Sequence, residues 1–186
     1  MNFIKSKIEG IITIEPQVFE DERGFFMETY SKKVFADNGI DVEFVQDNHS
    51  RSSQGVLRGL HFQKPPFAQA KLIRVTQGEV VDIAVDIRPN SPTFGKWEAA
   101  HLSSENKKMF FIPVGFAHGF YVISETVDFQ YKCSNFYNKE SESGLLWNDS
   151  DLNISWFAQG TPILSPKDEA WPTFAQAKDE LMKISW

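Results

Sequence analysis

Residues able to exchange protons sit in this chain on sequence that otherwise reads as buried strand. Leu57-Arg-Gly-Leu-His-Phe-Gln63 carries Arg58 and His61, and Lys71 opens the next apolar run, Lys71 to Thr76. On strict alternation His61 shares a face with Leu57 and Gly59, and Lys71 shares one with Ile73 and Val75. If both faces line a barrel, an imidazole that titrates near neutrality meets an ammonium in a dry interior. The competing arrangement is a core histidine satisfied by a hydrogen bond and a lysine whose amine reaches water. Tyr131 alternates with Phe129 and Cys133 and points into the same interior, although a buried tyrosine needs only a partner for its hydroxyl. Tyr137 follows shortly after. Pro113-Val-Gly-Phe-Ala-His-Gly119 reads as a tight turn that presents His118 at the start of the next strand.

Four arginines need a reading. Arg51 and Arg74 fit ordinary surface charges. Arg23 and Arg58 are each followed by glycine and bordered by apolar strands, a placement that suits a guanidinium fork over a phosphate. No Walker or dinucleotide glycine motif is present, so a phosphate would rest on side chains and not on a helix N-terminus. The turn before His118 resembles the second motif of the cupin barrels, many of which hold a metal through a His-x-His pair, a glutamate and a later histidine. Here the first motif offers only His61-Phe-Gln63, so no paired-ligand spacing supports a metal.

These groups need a scaffold, and composition bounds it. At 186 residues the chain suits one domain, 1–186, with a sizeable core, and 17 phenylalanines with 5 tryptophans suit an aromatic-lined interior. A net charge of −6 argues against nucleic acid or an anionic membrane as a general partner. The single cysteine, Cys133, excludes an intramolecular disulfide framework. Neither a signal-peptide core nor a membrane-length apolar run is seen, which gives a soluble, cytoplasmic protein as the expectation.

The elements read mostly as strands. They run Ile8 to Ile14, Val18-Phe19, Phe25 to Tyr30 and Phe44 to Ser50, with a short helix from an N-cap at Ser31 to a stop at Asn38-Gly39. Lys71 to Thr76 and Val80 to Ile87 flank Gln77-Gly78-Glu79, a hairpin signal. In the second of these runs Asp82, Ala84 and Asp86 share one face and Val81, Ile83, Val85 and Ile87 the other. Lys96 to Leu102 and Lys108 to Ile112 flank Ser103 to Asn106, and Phe120 to Ile123 pairs with Thr126 to Cys133 across Ser124-Glu125. Near the C-terminus a helix starts at about Thr173, with Phe174, Ala177, Leu181 and Ile184 near one face. So many short strands predict an antiparallel sandwich, jelly roll or barrel.

The motifs also follow one family in order. Asp21-Glu-Arg-Gly-Phe-Phe26, Gln46-Asp-Asn-His-Ser50, Leu57 to Gln63, Gln69-Ala-Lys-Leu72, Gly78 to Arg88, Ser91 to Trp97, Ile112 to Phe120, Tyr131-Lys-Cys133 and Leu146-Trp-Asn-Asp149 span nearly the whole chain. Together they resemble the dTDP-4-dehydrorhamnose 3,5-epimerase family. That resemblance implies an all-β cupin-type double-stranded β-helix (jelly roll), with short N-terminal strands and a few helices, one at the C-terminus. It implies no metal, no cofactor and a homodimer. The substrate implied is dTDP-4-dehydro-6-deoxy-D-glucose and the product dTDP-4-dehydro-L-rhamnose. It puts the catalytic base on His61, its dyad partner on Asp168, the lysine on Lys71 and the acid on Tyr131. Substrate-binding positions fall on Arg23, Phe25, Glu28, Gln46, Asn48 and Arg58, with His118 and Tyr137 as further pocket positions. The N-terminal ones are implied to reach in from a partner subunit. Ser165-Pro166 and Trp171-Pro172 depart from the family's commonest wording, which bears on the spacing of Asp168.

The implied reaction wants such groups. Inverting carbons beside a ketone needs a base on one face, an acid on the other and a stabiliser at the ketone oxygen. Three other classes remain open to the sequence. One is an epimerase of C3 or C5 alone, or a ketoisomerase. Another is a non-catalytic sugar-nucleotide-binding cupin, and the last a metal-dependent cupin enzyme.

Overall fold

Strands of three to eight residues dominate the chain, as the alternating patterns require. The structure is a computed structural model and describes residues 1–158 and 160–186. In chain order the strands are β1 (Asn2–Lys5), β2 (Ile12–Glu15), β3 (Val18–Asp21), β4 (Gly24–Met27), β5 (Gln46–Ser53), β6 (Leu57–Gln63) and β7 (Lys71–Gln77). They continue with β8 (Glu79–Asp86), β9 (Trp97–Ser103), β10 (Met109–Ile112), β11 (Phe116–Val122), β12 (Thr126–Cys133) and β13 (Glu142–Gly144). The helices are α1 (Lys32–Asp37), α2 (Pro166–Glu169) and α3 (Phe174–Leu181). A six-stranded sheet in the order β1-β2-β10-β7-β12-β5 faces a five-stranded sheet in the order β13-β6-β11-β8-β9, and β3 with β4 forms a separate hairpin. Every ladder is antiparallel. This is the expected all-β jelly roll.

Three apolar clusters hold it. Ile73, Val75, Val80, Ala84, Phe120, Val127 and Phe129 fill part of the space between the sheets. The outer face of the five-stranded sheet packs Leu57, Leu60, Phe62, Val81, Ile83 and Val85 against Leu152, Trp156, Ala177 and Leu181. The outer face of the six-stranded sheet packs Leu72, Met109 and Phe111 with Phe35 of α1. A fully buried phenylalanine or isoleucine contributes about 1.5–3 kcal/mol through the area it removes from water. The apolar face of β8 is therefore the outer one, covered by the C-terminal segment, and its Asp82–Ala84–Asp86 face looks into the barrel. α3 begins at Thr173 in a capping box with Gln176 and buries Ala177 and Leu181, in line with its sequence pattern.

Turn signals located reversals correctly but misassigned partners. Gln77-Gly78-Glu79 is not the tip of a two-strand ladder. β7 pairs with β10 and β12, whereas β8 pairs with β11 and β9, so the turn carries the chain from one sheet to the other. The same holds for β9 and β10, and for β11 and β12. A local turn reports only that the chain bends, and the jelly roll's ladders are set by burial between distant segments. Two boundaries also move. Ile8 to Ile14 is not one strand, since residues 6–11 separate β1 from β2 and only the end of that run lies in β2. The strand after Pro113 begins at Phe116, which puts His118 inside it.

Candidate active site

The decisive local feature is an extra residue in β6. His61 is opposite His118 and Arg58 opposite Phe120, so three steps along β6 match two along β11. A bulge of this kind reverses which face the following residues occupy. Leu57 and Leu60 pack outward, while Arg58 and His61 come to one side. The expectation that His61 shares a face with Leu57 and Gly59 is thereby corrected. Gly59 makes the bulge possible: its φ is +141°, and a Cβ there would stand 2.5 Å from the Gly119 Cα.

His61 is held by a carboxylate that arrives from α2. Its Nε2 contacts Asp168 Oδ1, and the Ser165 hydroxyl donates to Asp168 Oδ2 at 2.8 Å. Ser165 also caps α2, accepting from the Asp168 N–H at 3.2 Å, with Pro166 in the first turn where its missing N–H costs nothing. The Ser-Pro wording thus builds a cap that aims Asp168 at His61. Burial pushes the Asp168 carboxyl up, but the hydrogen bonds from His61 and Ser165 outweigh it and leave the group below the ordinary carboxylate value. An ionised carboxylate only accepts, so Nε2 carries the proton and Nδ1 keeps the lone pair. The imidazole is part exposed and the carboxylate buried.

A second imidazole lies behind the first. His118 Nε2 is 2.9 and 3.0 Å from the two oxygens of Asp82, and its Nδ1 is 3.5 Å from Lys71 Nζ. Burial pushes Lys71 down, opposed by Cys133, Asp82 and Glu142. Burial also holds His118 well below its ordinary value, aided by the charges of Lys71 and His61. Phe129 stacks under His118 and on Phe120, whose ring centre is 4.0 Å away, which forms an apolar floor. Tyr131 faces Lys71, with Nζ 5.9 Å from the ring centre, and burial raises its hydroxyl pKa.

His61, Lys71 and Tyr131 line a cavity of about 360 Å³ bounded also by Gln46, Asn48, Phe62, Gln63, Gln69, Tyr137 and Glu142, whereas His118, expected as a pocket position, is buried behind Lys71 and is not in its lining. His61 also borders a groove of about 520 Å³ that holds Arg58, Lys167 and Asp168. Four residues here escaped the sequence reading. Gln63 fixes the rim loop by donating to Phe67 and Phe136 carbonyls and accepting from the Asn138 N–H. Gln69 donates to the Asn135 carbonyl at 2.7 Å. Glu142 accepts from Tyr137 Oη at 3.0 Å and Lys167 Nζ at 2.7 Å. Burial raises the Glu142 carboxyl, and these two bonds bring it to a net position below the ordinary value. Lys167 neighbours Asp168 and Gln63 closes the His61 motif, so both carried a signal. Glu142 sits on a three-residue edge strand and gave none.

Three predicted residues lie elsewhere. Arg23 and Phe25 stand on the β3–β4 hairpin with Phe19 and Phe26, all exposed, and Arg23 pairs with Asp21 at 2.5 Å. Glu28 follows β4 and is exposed. None of the three borders the cavity or the groove.

The family described as dTDP-4-dehydrorhamnose 3,5-epimerase matches residues 5–176. The chain is 56% identical to the dTDP-4-dehydrorhamnose 3,5-epimerase of Shigella flexneri, over 95% of this chain and 98% of that one. It is 52% identical to the protein of the same name from Escherichia coli K12, over 99% and 98%. Among solved structures it is similar to dTDP-6-deoxy-D-glucose-3,5-epimerase of Legionella pneumophila Philadelphia 1 in complex with dTDP-4-keto-L-rhamnose. That match has a TM-score of 0.94 and 48% identity, over 100% of this chain and 98% of that one.

Proposed function

The chain belongs to the dTDP-4-dehydrorhamnose 3,5-epimerase family, and from that premise we propose how the pocket at His61 inverts both carbons beside a ketone. The substrate is dTDP-4-dehydro-6-deoxy-D-glucose and the product dTDP-4-dehydro-L-rhamnose. C3 and C5 both flank the C4 carbonyl, so a proton lost from either leaves its electron pair delocalised onto O4 as an enolate. His61 Nδ1 takes that proton, and Asp168 stabilises the imidazolium that forms. Lys71 holds the negative O4, a donor whose removal typically costs ~10²- to 10³-fold in rate. Tyr131 returns a proton to carbon from the opposite face; solvent then reprotonates the tyrosinate and takes the proton from the His61 imidazolium, which resets the pair for the second carbon.

The observation that carries this reading is the joint placement of the His61–Asp168 pair, Lys71 and Tyr131 on one cavity. Arg58 and Lys167 flank the groove beside His61, where a diphosphate gains two cations. Gln46, Asn48 and Tyr137 line the rim. A homodimer completes the site: Arg23, Phe25 and Glu28 reach the nucleotide of a second copy, which also covers the exposed hairpin phenylalanines. A cytoplasmic location agrees with a single, buried and free cysteine. No helix among the described residues is long and apolar enough to cross a membrane.

Product NMR after turnover in deuterated water tests the reaction. Deuterium is expected at both C3 and C5. Deuterium at C3 alone overturns the double inversion in favour of a single one.

A further inference from the structure

Asp82 takes no part in the steps above, yet it is fully buried at the heart of the barrel. It lies on β8 and meets His118 of β11 in the same sheet, while Lys71 opens β7 in the opposite sheet. The contacts run in one line: carboxylate to Nε2 at 2.9 and 3.0 Å, then Nδ1 to ammonium at 3.5 Å. The chain Asp82–His118–Lys71 therefore bridges the two sheets behind the cavity.

An ammonium in a dry site sheds its proton unless an anion holds it. The groups facing Lys71 can be taken in turn. Tyr131 and Cys133 of β12 are both pushed up by burial, and so are neutral near pH 7. His61 and His118 bring no negative charge. Glu142 of β13 is already engaged by Lys167 and Tyr137. Asp82 remains: burial pushes its carboxyl well above the ordinary value, the charge of Lys71 opposes that rise, and the contacts from His118 Nε2 to both of its oxygens favour the charged form.

We infer that Asp82 is the counter-charge that keeps Lys71 protonated, acting through the neutral ring of His118. Its Nε2–H donates to the carboxylate, which leaves the Nδ1 lone pair turned to the ammonium. Asp82 is thus a positioning residue two contacts from the substrate. The inference rests on the proposed role of Lys71 at the enolate oxygen.

Asp82→Asn tests it, because an asparagine oxygen still accepts from Nε2–H while the charge is gone. Turnover requires protonated Lys71, so a lowered lysine pKa brings the alkaline loss of kcat to lower pH. We expect that limb to move down by about one unit or more, with kcat reduced about 10²-fold at neutral pH and dTDP affinity unchanged. An alkaline limb that stays at its wild-type position overturns the inference, since purely structural damage lowers the whole profile without moving it. Lys71→Arg stays cationic unaided, so Asp82→Asn added to it should leave the limb in place, and a shift there counts against Lys71 as the responding group. Full turnover in Lys71→Met refutes the role of the lysine itself. Inactive Lys71→Met with an unshifted Asp82→Asn profile refutes the counter-charge alone. If Asp82→Asn does not fold, ¹⁵N NMR of the wild-type lysine side chains decides: Lys71 is an ammonium at neutral pH, and a neutral amine there overturns the inference.

Discussion

Arg58 and Arg23 carry a similar local signature, an arginine before a glycine that leads into apolar sequence, and the fold puts them in different situations. Arg58 lines the groove beside His61 and donates to Ser52 Oγ at 3.1 Å. Arg23 stands at the tip of the β3–β4 hairpin with its side chain 85% exposed and only Asp21 beside it. An exposed pair of that kind is worth little. The hairpin also leaves Phe19, Phe25 and Phe26 in water at 55%, 57% and 70% exposure, an apolar patch of the sort that marks an interaction surface. Local sequence thus reports what chemistry a residue can offer to a ligand. Where the fold presents that residue is decided by packing.

Separating the two regions kinetically gives the largest expected effect. His61→Ala should lower turnover ~10³- to 10⁴-fold while dTDP affinity is kept. Arg23→Ala should instead weaken nucleotide binding about 10- to 10²-fold, the loss of one charge-assisted hydrogen bond, with kcat little changed at saturation. Mixing the two preparations at a substrate level too low for Arg23→Ala to bind, and letting subunits exchange, should restore part of the activity that neither shows alone there. In a mixed dimer one site combines an intact His61 with an intact Arg23 from the other chain. No recovery on mixing, with exchange verified, sinks the shared site and leaves the hairpin without a role in catalysis.

A smaller effect compares the backbone of the two regions. Gly59 in the barrel has φ +141° and a would-be Cβ that collides with Gly119, whereas Gly24 in the hairpin has φ +121° and nothing within 4 Å of such a Cβ. Both substitutions to alanine meet the dihedral penalty, but only Gly59→Ala must also push β6 away from β11. Gly59→Ala should cost about 2–4 kcal/mol in a denaturant titration and Gly24→Ala about 1 kcal/mol. Equal losses would show that the bulge is less tightly packed than the register indicates.

That bulge also marks where the sequence stopped being legible. The strand content, the helix start near Thr173 and the gathering of His61, Lys71, His118 and Tyr131 follow from periodic patterns and motif residues. Strict alternation nevertheless put Leu57 beside His61, because one inserted residue flips every later side chain and leaves no compositional trace. The sheet partners were misread for a related reason: Gln77-Gly78-Glu79 encodes a bend, while the two sheets are chosen by apolar faces far apart in sequence. β8 is the clearest case, since its uniformly apolar face looks outward to a cover supplied some seventy residues later, by Leu152 and Trp156. Glu142 gave no signal at all, for its importance comes only from standing between Tyr137 and Lys167 once the rim has formed.

The smallest effect belongs to a carboxylate outside both regions. Asp128 of β12 accepts from Arg51 Nε at 2.8 Å and Nη2 at 2.7 Å, with His49 at 3.4 Å. The Arg51 hydrogen bonds lower its pKa to about 2, against the opposing effect of burial. A depressed carboxylate pKa contributes stability that is fully present above the unfolded value. That stability fades as the pH falls from about 4 toward about 2. Asp128→Asn should therefore flatten the acid side of the stability curve in that window, measured by thermal unfolding across pH, with turnover at neutral pH unaltered. Arg51 is exposed although Asp128 is largely buried beneath it, so added salt should shrink the difference. A neutral-pH loss of turnover in Asp128→Asn would tie the outer face of this sheet to catalysis, and the division between a barrel that does the chemistry and a surface that does not would fail there.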